Sequence, residues 1–218
     1  MRIVVAEDSV LFREGLVRLL GDLGHDVVAA VADSTALLAA ARAHLPDLAV
    51  IDIRMPPDRE SDGAHAAATI RRDMPEVGTL LLSQHIELRH CLELIGTPGF
   101  GYLLKDRVLR LGEFDDSLRR VAAGGVALDP QVVQALVRSR RALGAISTLT
   151  GRERQVLEMV AQGHTNTAIS DALGLSARTV ETHMRAIFNK LGLLDDGNTH
   201  RRVRAVITYL ETVGGPAP

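Results

Sequence analysis

The sequence predicts a doubly wound α/β domain with a five-stranded parallel sheet, followed by a small all-α domain containing a helix-turn-helix. Three observations predict it. Short apolar runs alternate with segments of helical period through the first half, as expected for strands buried on both faces and joined by crossover helices. Polar residues follow these runs: Glu7-Asp8 after Ile3–Ala6, Asp52 after Leu48–Ile51, Ser83 after Thr79–Leu82, and Lys105 after Gly99–Leu104. From about residue 148 onward the strand signal stops and only capped, amphipathic helices remain.

Taken in order, strands are expected at Arg2–Ala6, Asp26–Val31, Leu48–Ile53, Thr79–Leu82 and Gly101–Leu104. Helical periodicity marks Leu11–Leu23, Ala36–Ala43, Ala64–Asp73, Leu88–Ile95 and Glu113–Ala123, with Ser9 and Ser34 as N-caps of the first two. Gly124-Gly125 closes the series. Pro130 suits the first turn of a connecting helix over 131–141, and Gly144–Thr148 reads as a linker. Thr150-Gly151-Arg152-Glu153 is a capping box ahead of Val156, Leu157 and Val160. Thr165 can cap a short helix ending near Leu173, Ser176 can cap a longer one over Ala177–Leu191, and Asn198 or Thr199 opens a final helix.

Composition sets the bounds. Apolar content of 46% and charged content of 24% are ordinary for a globular protein. No apolar stretch approaches membrane-spanning length, and a strand signal begins almost at the first residue, so neither a membrane segment nor a signal peptide is expected. The lone Cys91 excludes an internal disulfide and a cysteine-based zinc site, and a cytoplasmic location is expected. Residues 1–128 hold 14 Lys/Arg against 19 Asp/Glu, while 129–218 hold 11 against 8. Any nucleic-acid contact is therefore expected in the second half.

In an open α/β sheet, functional groups collect at the carboxyl ends of the strands. That edge would hold Glu7, Asp8, Asp52, Ser83 and Lys105, the last being one of two lysines against 23 arginines. Carboxylate oxygens suit Mg²⁺. A carboxylate can itself accept a phosphoryl group as an acyl phosphate, with the Lys105 ammonium as a compact positive charge. Ala6-Glu7-Asp8-Ser9, Ile51-Asp52-Ile53-Arg54-Met55-Pro56, Leu81-Leu82-Ser83 and Gly101–Asp106 resemble the signature of a response-regulator receiver domain, a flavodoxin-like fold. The resemblance implies that Asp52 accepts phosphate from a histidine kinase. It implies Mg²⁺ bound by Glu7, Asp8, Asp52 and the carbonyl of Arg54. Ser83, Lys105 and the aromatic Tyr102 would sense the phosphoryl group. Three features depart from the pattern: the long loop Pro57–Asp62 before Gly63, Gln84 after Ser83, and Gly96-Thr97-Pro98-Gly99 ahead of the fifth strand. These bear on kinetics more than on the chemistry.

In the second half, a short helix, a glycine turn and a longer helix form the helix-turn-helix layout. Ala168, Ile169, Ala172, Leu173, Val180 and Ile187 are its expected core, with Ala172 small enough for a close crossing. The second helix offers Arg185, Glu181 and Thr182 to base edges, with Arg178, Thr179 and Lys190 as phosphate contacts. Leu149–Leu157, Gly163, Asn166, Ile169, Leu175–Met184 and Lys190-Leu191 closely resemble the LuxR-type DNA-binding domain. The resemblance implies double-stranded DNA as partner and a dimer face on the last helix, with Val203, Val206, Ile207 and Leu210 as candidates. Glu181 stands where that family often carries a basic residue.

Together the two halves resemble a response regulator of the NarL/FixJ type. The expected organisation is a receiver over 1–125, a linker with connecting helix over 126–147, a DNA-binding domain over 148–212 and a flexible tail over 213–218. Phosphorylation would then control transcription through DNA binding, with a homodimer forming on phosphorylation. No enzymatic activity is expected: Arg54 stands two residues beyond Asp52 where an aspartyl-phosphate hydrolase would carry a second acid. The competing reading is a DNA-binding regulator whose receiver is never phosphorylated and serves for protein docking.

Overall fold

A computed structural model of the chain describes residues 1–56, 61–87, 92–193 and 200–213. Pro57–Glu60 of the long loop, Cys91, Asn198, Thr199 and the tail from residue 214 lie outside the described residues. The chain divides into two compact units, Met1–Val133 and Gln134–Pro218.

The first unit is a parallel sheet of β1 (Arg2–Ala6), β2 (Asp26–Val31), β3 (Leu48–Asp52), β4 (Gly78–Ser83), β5 (Phe100–Leu104) and β6 (Val126–Leu128), in the order β2-β1-β3-β4-β5-β6. The order reverses between β1 and β3, the topological switch point where such sheets carry their sites. β3, β4 and β5 are buried along their whole length, which is why their sequences read as unbroken apolar runs. β6 extends the five expected strands. It pairs with Phe100–Tyr102 where the linker was expected to begin, and three residues give no periodicity to detect.

The flanking helices are α1 (Val10–Asp22), α2 (Ser34–His44), α3 (Asp62–Asp73) and α4 (Leu111–Ala122). Leu16 and Leu20 of α1 and Phe114, Leu118 and Val121 of α4 share one core with Ile3, Val5, Val50 and Leu80 of the sheet. Asp33, not Ser34, caps α2: its carboxylate accepts from the Ala36 N–H at 2.8 Å. Ser9 holds the N-cap position of α1 without a side-chain bond. The helix expected over 88–95 is absent where the chain is described. Leu92–Ile95 form turns, and Gly96 (φ 89°) and Pro98 follow where a helix would have to continue.

In the second unit, α5 (Pro130–Ser147), which starts in the first unit's part of the sequence, runs through the expected linker Gly144–Ser147. It is followed by α6 (Gly151–Ala161), α7 (Asn166–Leu173), α8 (Ala177–Lys190) and α9 (Arg201–Val213). Thr150 and Glu153 form the full capping box of α6, and Thr165 and Ser176 cap α7 and α8 through their hydroxyls. Gly174, in the left-handed region at φ 62°, makes the turn between α7 and α8. Ile169, Val180, Met184 and Ile187 pack with Val156, Leu157, Val160 and Ala205. Ala172 is exposed rather than at a helix crossing; Ser170 is the small buried residue of α7.

Candidate functional site

The carboxyl ends of β1, β3, β4 and β5 are neighbours in the sheet, so four separated segments deliver Glu7-Asp8, Asp52, Ser83 and Lys105 to one edge. Carboxylate oxygens of Glu7, Asp8 and Asp52 lie within 4.8 Å of one another. Glu7 and Asp52 are buried and Asp8 is half-buried. Lys105 Nζ donates to Glu7 Oε2 at 2.7 Å and stands 3.1 Å from Asp52 Oδ2. It also lies 4.8 Å from the centre of the Phe12 ring, a cation–π contact that helps to hold the ammonium in place. The other Glu7 oxygen accepts from the Ser9 N–H at 3.2 Å.

Three carboxyl groups share one ammonium, and the two buried ones, Glu7 and Asp52, show the balance. Burial pushes Asp52 above the ordinary carboxylate range despite the Lys105 charge and the backbone N–H of Arg54. Glu7 is raised as well, by burial first, with Asp52 adding to it and the Lys105 bond opposing it. An all-oxygen donor set with surplus negative charge fits a hard divalent cation such as Mg²⁺.

The backbone around Asp52 leaves no slack. Gly63, which begins the return from β3 into α3, donates its N–H to Ile53 O at 3.0 Å. A Cβ at residue 63 would fall 1.8 Å from the carbonyl oxygen of Asp52.

Tyr102 is fully buried, and its hydroxyl donates to His85 O at 3.0 Å and accepts from the Glu87 N–H at 2.9 Å. Ser83 Oγ accepts from the His85 N–H and donates to Glu87 Oε1, each at 3.3 Å. The Arg54 guanidinium donates to the same Glu87 oxygen at 2.8 Å. Ser83, His85, Glu87 and Arg54 line a cavity of about 220 Å³ together with the acids and Lys105. Sequence reasoning missed Glu87 and Phe12, which belong to no strand-end run. Gln84 also lines the cavity.

In the second unit, Arg178, Glu181, Thr182 and Arg185 are exposed on α8, on the side away from Val180, Met184 and Ile187. Thr182 Oγ1 donates to Arg178 O at 2.9 Å, which leaves its methyl group as the part available for contact. Thr179 belongs partly to the cap: its N–H and hydroxyl both bond Ser176 Oγ. Lys190 donates to the buried Glu153 at 2.6 Å and so ties the end of α8 to the start of α6. On α9, Val203, Ile207 and Leu210 are exposed, whereas Val206 packs against the core.

Comparison with known proteins places both halves. The family model of the response regulator receiver domain matches residues 3–111, and that of the luxR family of bacterial regulatory proteins matches 147–207. The probable transcriptional regulatory protein NarL of Mycobacterium tuberculosis is 36% identical over 198 residues, covering 89% of each chain. The DNA-binding transcriptional activator DevR/DosR of the same organism is 30% identical over 219 residues, covering 97% of this chain and 94% of that protein. Among solved structures, the RcsB response regulator of Salmonella typhimurium superposes with a TM-score of 0.67 at 23% identity, covering 96% of this chain and 98% of that one.

Proposed function

Because the chain belongs to the response regulators of the NarL/FixJ type, we propose that Asp52 accepts a phosphoryl group from a histidine kinase and that this modification controls sequence-specific DNA binding by α8. The family is one of transcriptional regulators rather than enzymes. Among the described residues no helix is long and apolar enough to cross a membrane, and the place of action is the cytoplasm, with the DNA.

One observation carries this reading. A buried aspartate at a strand end lies 3.1 Å from the ammonium of Lys105, with Glu7 and Asp8 beside it. In the transfer, an Asp52 carboxylate oxygen forms a bond to phosphorus as the phosphorus–nitrogen bond of the kinase's phosphohistidine breaks. The imidazole leaves with the electron pair and takes up a proton. Lys105 places fixed positive charge beside the phosphoryl oxygens, and such positioning and charge are most of what the chemistry requires. Glu7, Asp8, Asp52 and the Arg54 carbonyl would hold Mg²⁺, which supplies further positive charge when bound. Ser83 then donates its hydroxyl to the new group, and Tyr102, bonded to the backbone of the segment after β4, carries the change outward.

The readout is a population shift between two states of the regulator. Arg185, Glu181 and Thr182 read bases, while Arg178 and Thr179 position α8 on the backbone. The exposed Val203, Ile207 and Leu210 of α9 are the apolar face on which two copies meet on paired half-sites. Acetyl phosphate with Mg²⁺, followed by intact mass and DNA binding together, tests the reading. Wild type should gain one phosphoryl group and change its DNA affinity, and Asp52→Asn should do neither. A wild type that gains no mass under conditions preserving acyl phosphates sinks it and leaves a docking receiver.

A further inference from the structure

Glu87 lies outside every motif of the family signature, yet it holds two donors of residues that line the acceptor's cavity. One atom, Oε1, accepts both the Ser83 hydroxyl at 3.3 Å and the Arg54 Nε–H at 2.8 Å. Its side chain is only 14% exposed and lines the same cavity as Asp52 and Lys105. Its backbone N–H is bonded to the Tyr102 hydroxyl at 2.9 Å. A carboxylate is thus seated on two donors at the cavity that a phosphoryl group on Asp52 would enter.

A phosphoryl group brings about −1.5 to −2 charges and three strong acceptor oxygens. It therefore competes with Glu87 for the same O–H and N–H donors and repels it as a like charge in a partly desolvated cavity. Both anions cannot keep Ser83 and Arg54. We infer that Glu87 is a resident competitor of the phosphoryl group: its carboxylate holds Ser83 and Arg54 in the unmodified protein, and modification of Asp52 displaces it. The inference rests on the reading of Asp52 as phosphoacceptor. Displacing the carboxylate pulls on the Glu87 backbone, and that backbone is bonded to Tyr102. Glu87 is therefore a positioning residue that sets how readily the site accepts phosphate and how directly Tyr102 feels it.

The test is Glu87→Gln in the full chain. This near-isosteric change keeps an acceptor oxygen but removes the charge. Acetyl phosphate is titrated with Mg²⁺ present, and the phosphorylated fraction is read by intact mass. The decay of the phosphorylated form is followed after the donor is removed. The variant should reach half-modification at a donor concentration roughly fivefold to tenfold below wild type, the scale of removing one partly screened like charge, and should lose the group more slowly. Adding Arg54→Gln should cancel much of that gain, which a purely structural role for Glu87 would not produce. Equal or weaker modification of Glu87→Gln overturns the inference while leaving Asp52 as acceptor, and a wild type that takes no phosphate overturns the reading beneath it. Glu87→Ala carries the same expectation should Glu87→Gln fail to fold. Failure of both to fold overturns the inference, since a mere competitor is dispensable to the fold.

Discussion

Lys105 and Lys190, the two lysines of the sequence, each donate to a buried glutamate, Glu7 at 2.7 Å and Glu153 at 2.6 Å. The outcomes are opposite. At Glu7 burial prevails and the carboxyl titrates above its ordinary range, with Asp52 adding to the rise. At Glu153 burial also works upward, but the Lys190 bond and the N–H and hydroxyl of Thr150 outweigh it, and the carboxyl titrates below its ordinary range. The second pair is saturated: capping box and lysine together satisfy the charge. The first is deficient, because three acids share one ammonium. An unsatisfied excess of charge at a strand edge costs stability, a property shared by groups at functional sites. A satisfied pair of the same residue types is only a clamp.

The largest expected break of this contrast is steric. Gly63→Ala places a methyl group on the Asp52 carbonyl, and relief requires moving either the turn or the acceptor strand. The cost should be about 3 kcal/mol, with loss of phosphoryl acceptance, measured by urea unfolding and intact mass. Among the described residues no glycine approaches the Lys190 clamp in this way. Next is the ligand. Mg²⁺ at a hundred times its dissociation constant should stabilise the first unit by about 2.7 kcal/mol. Asp8→Asn should remove most of that gain, while Lys190→Ala leaves it intact. Hydrogen exchange resolved by unit would show both, and a Mg²⁺ effect confined to the second unit would refute the assignment.

Neutralising one acid in each cluster should give opposite signs. Glu153→Gln removes the capping acceptor and the lysine's partner, and should cost about 2 kcal/mol. Asp52→Asn relieves buried like charge and should stabilise the first unit by about 1 kcal/mol. The pH dependence follows the same division. Glu153, with a lowered folded pKa, contributes its stability in full above its unfolded value of about 4.3, and loses it as pH falls through the folded value. Asp52, with a raised folded pKa, destabilises fully above that raised value. Its penalty fades as pH falls toward its unfolded value of about 3.9. Mild acidification of the metal-free protein should therefore firm the first unit before it loosens the second.

How much of this could be read from sequence follows from what leaves a periodic trace. β1 to β5 fall within a residue or two of expectation because each is built on a short apolar run bounded by polar or turn residues. The caps Thr150, Thr165 and Ser176 were legible because each stands in front of a periodic apolar stripe. β6 was too short to register, and Ala172 was misjudged because smallness does not say which way a helix face turns. The segment over 88–95 carried helical spacing, but spacing alone did not weigh Gly96 and Pro98 just beyond it. The five strand-end residues of the site were visible as a set. Glu87 was not, since its bond from Arg54 joins segments 33 residues apart, and no spacing encodes that.

The smallest expected effect concerns Lys190 itself. Sequence reasoning groups it with Arg178 as a phosphate contact, but its ammonium is bonded to Glu153 at 2.6 Å, whereas Arg178 is exposed. A lysine that stays in a clamp releases no counterion when DNA binds. Lys190→Ala should then weaken DNA binding only through a stability loss below about 1 kcal/mol, and the slope of log affinity against log salt should not change. Arg178→Ala should reduce that slope by about one. Equal reductions in the two variants would mean that Lys190 leaves Glu153 for a phosphate. The saturated clamp would then be a second reserve of charge, and the contrast between the two lysines would lose its meaning.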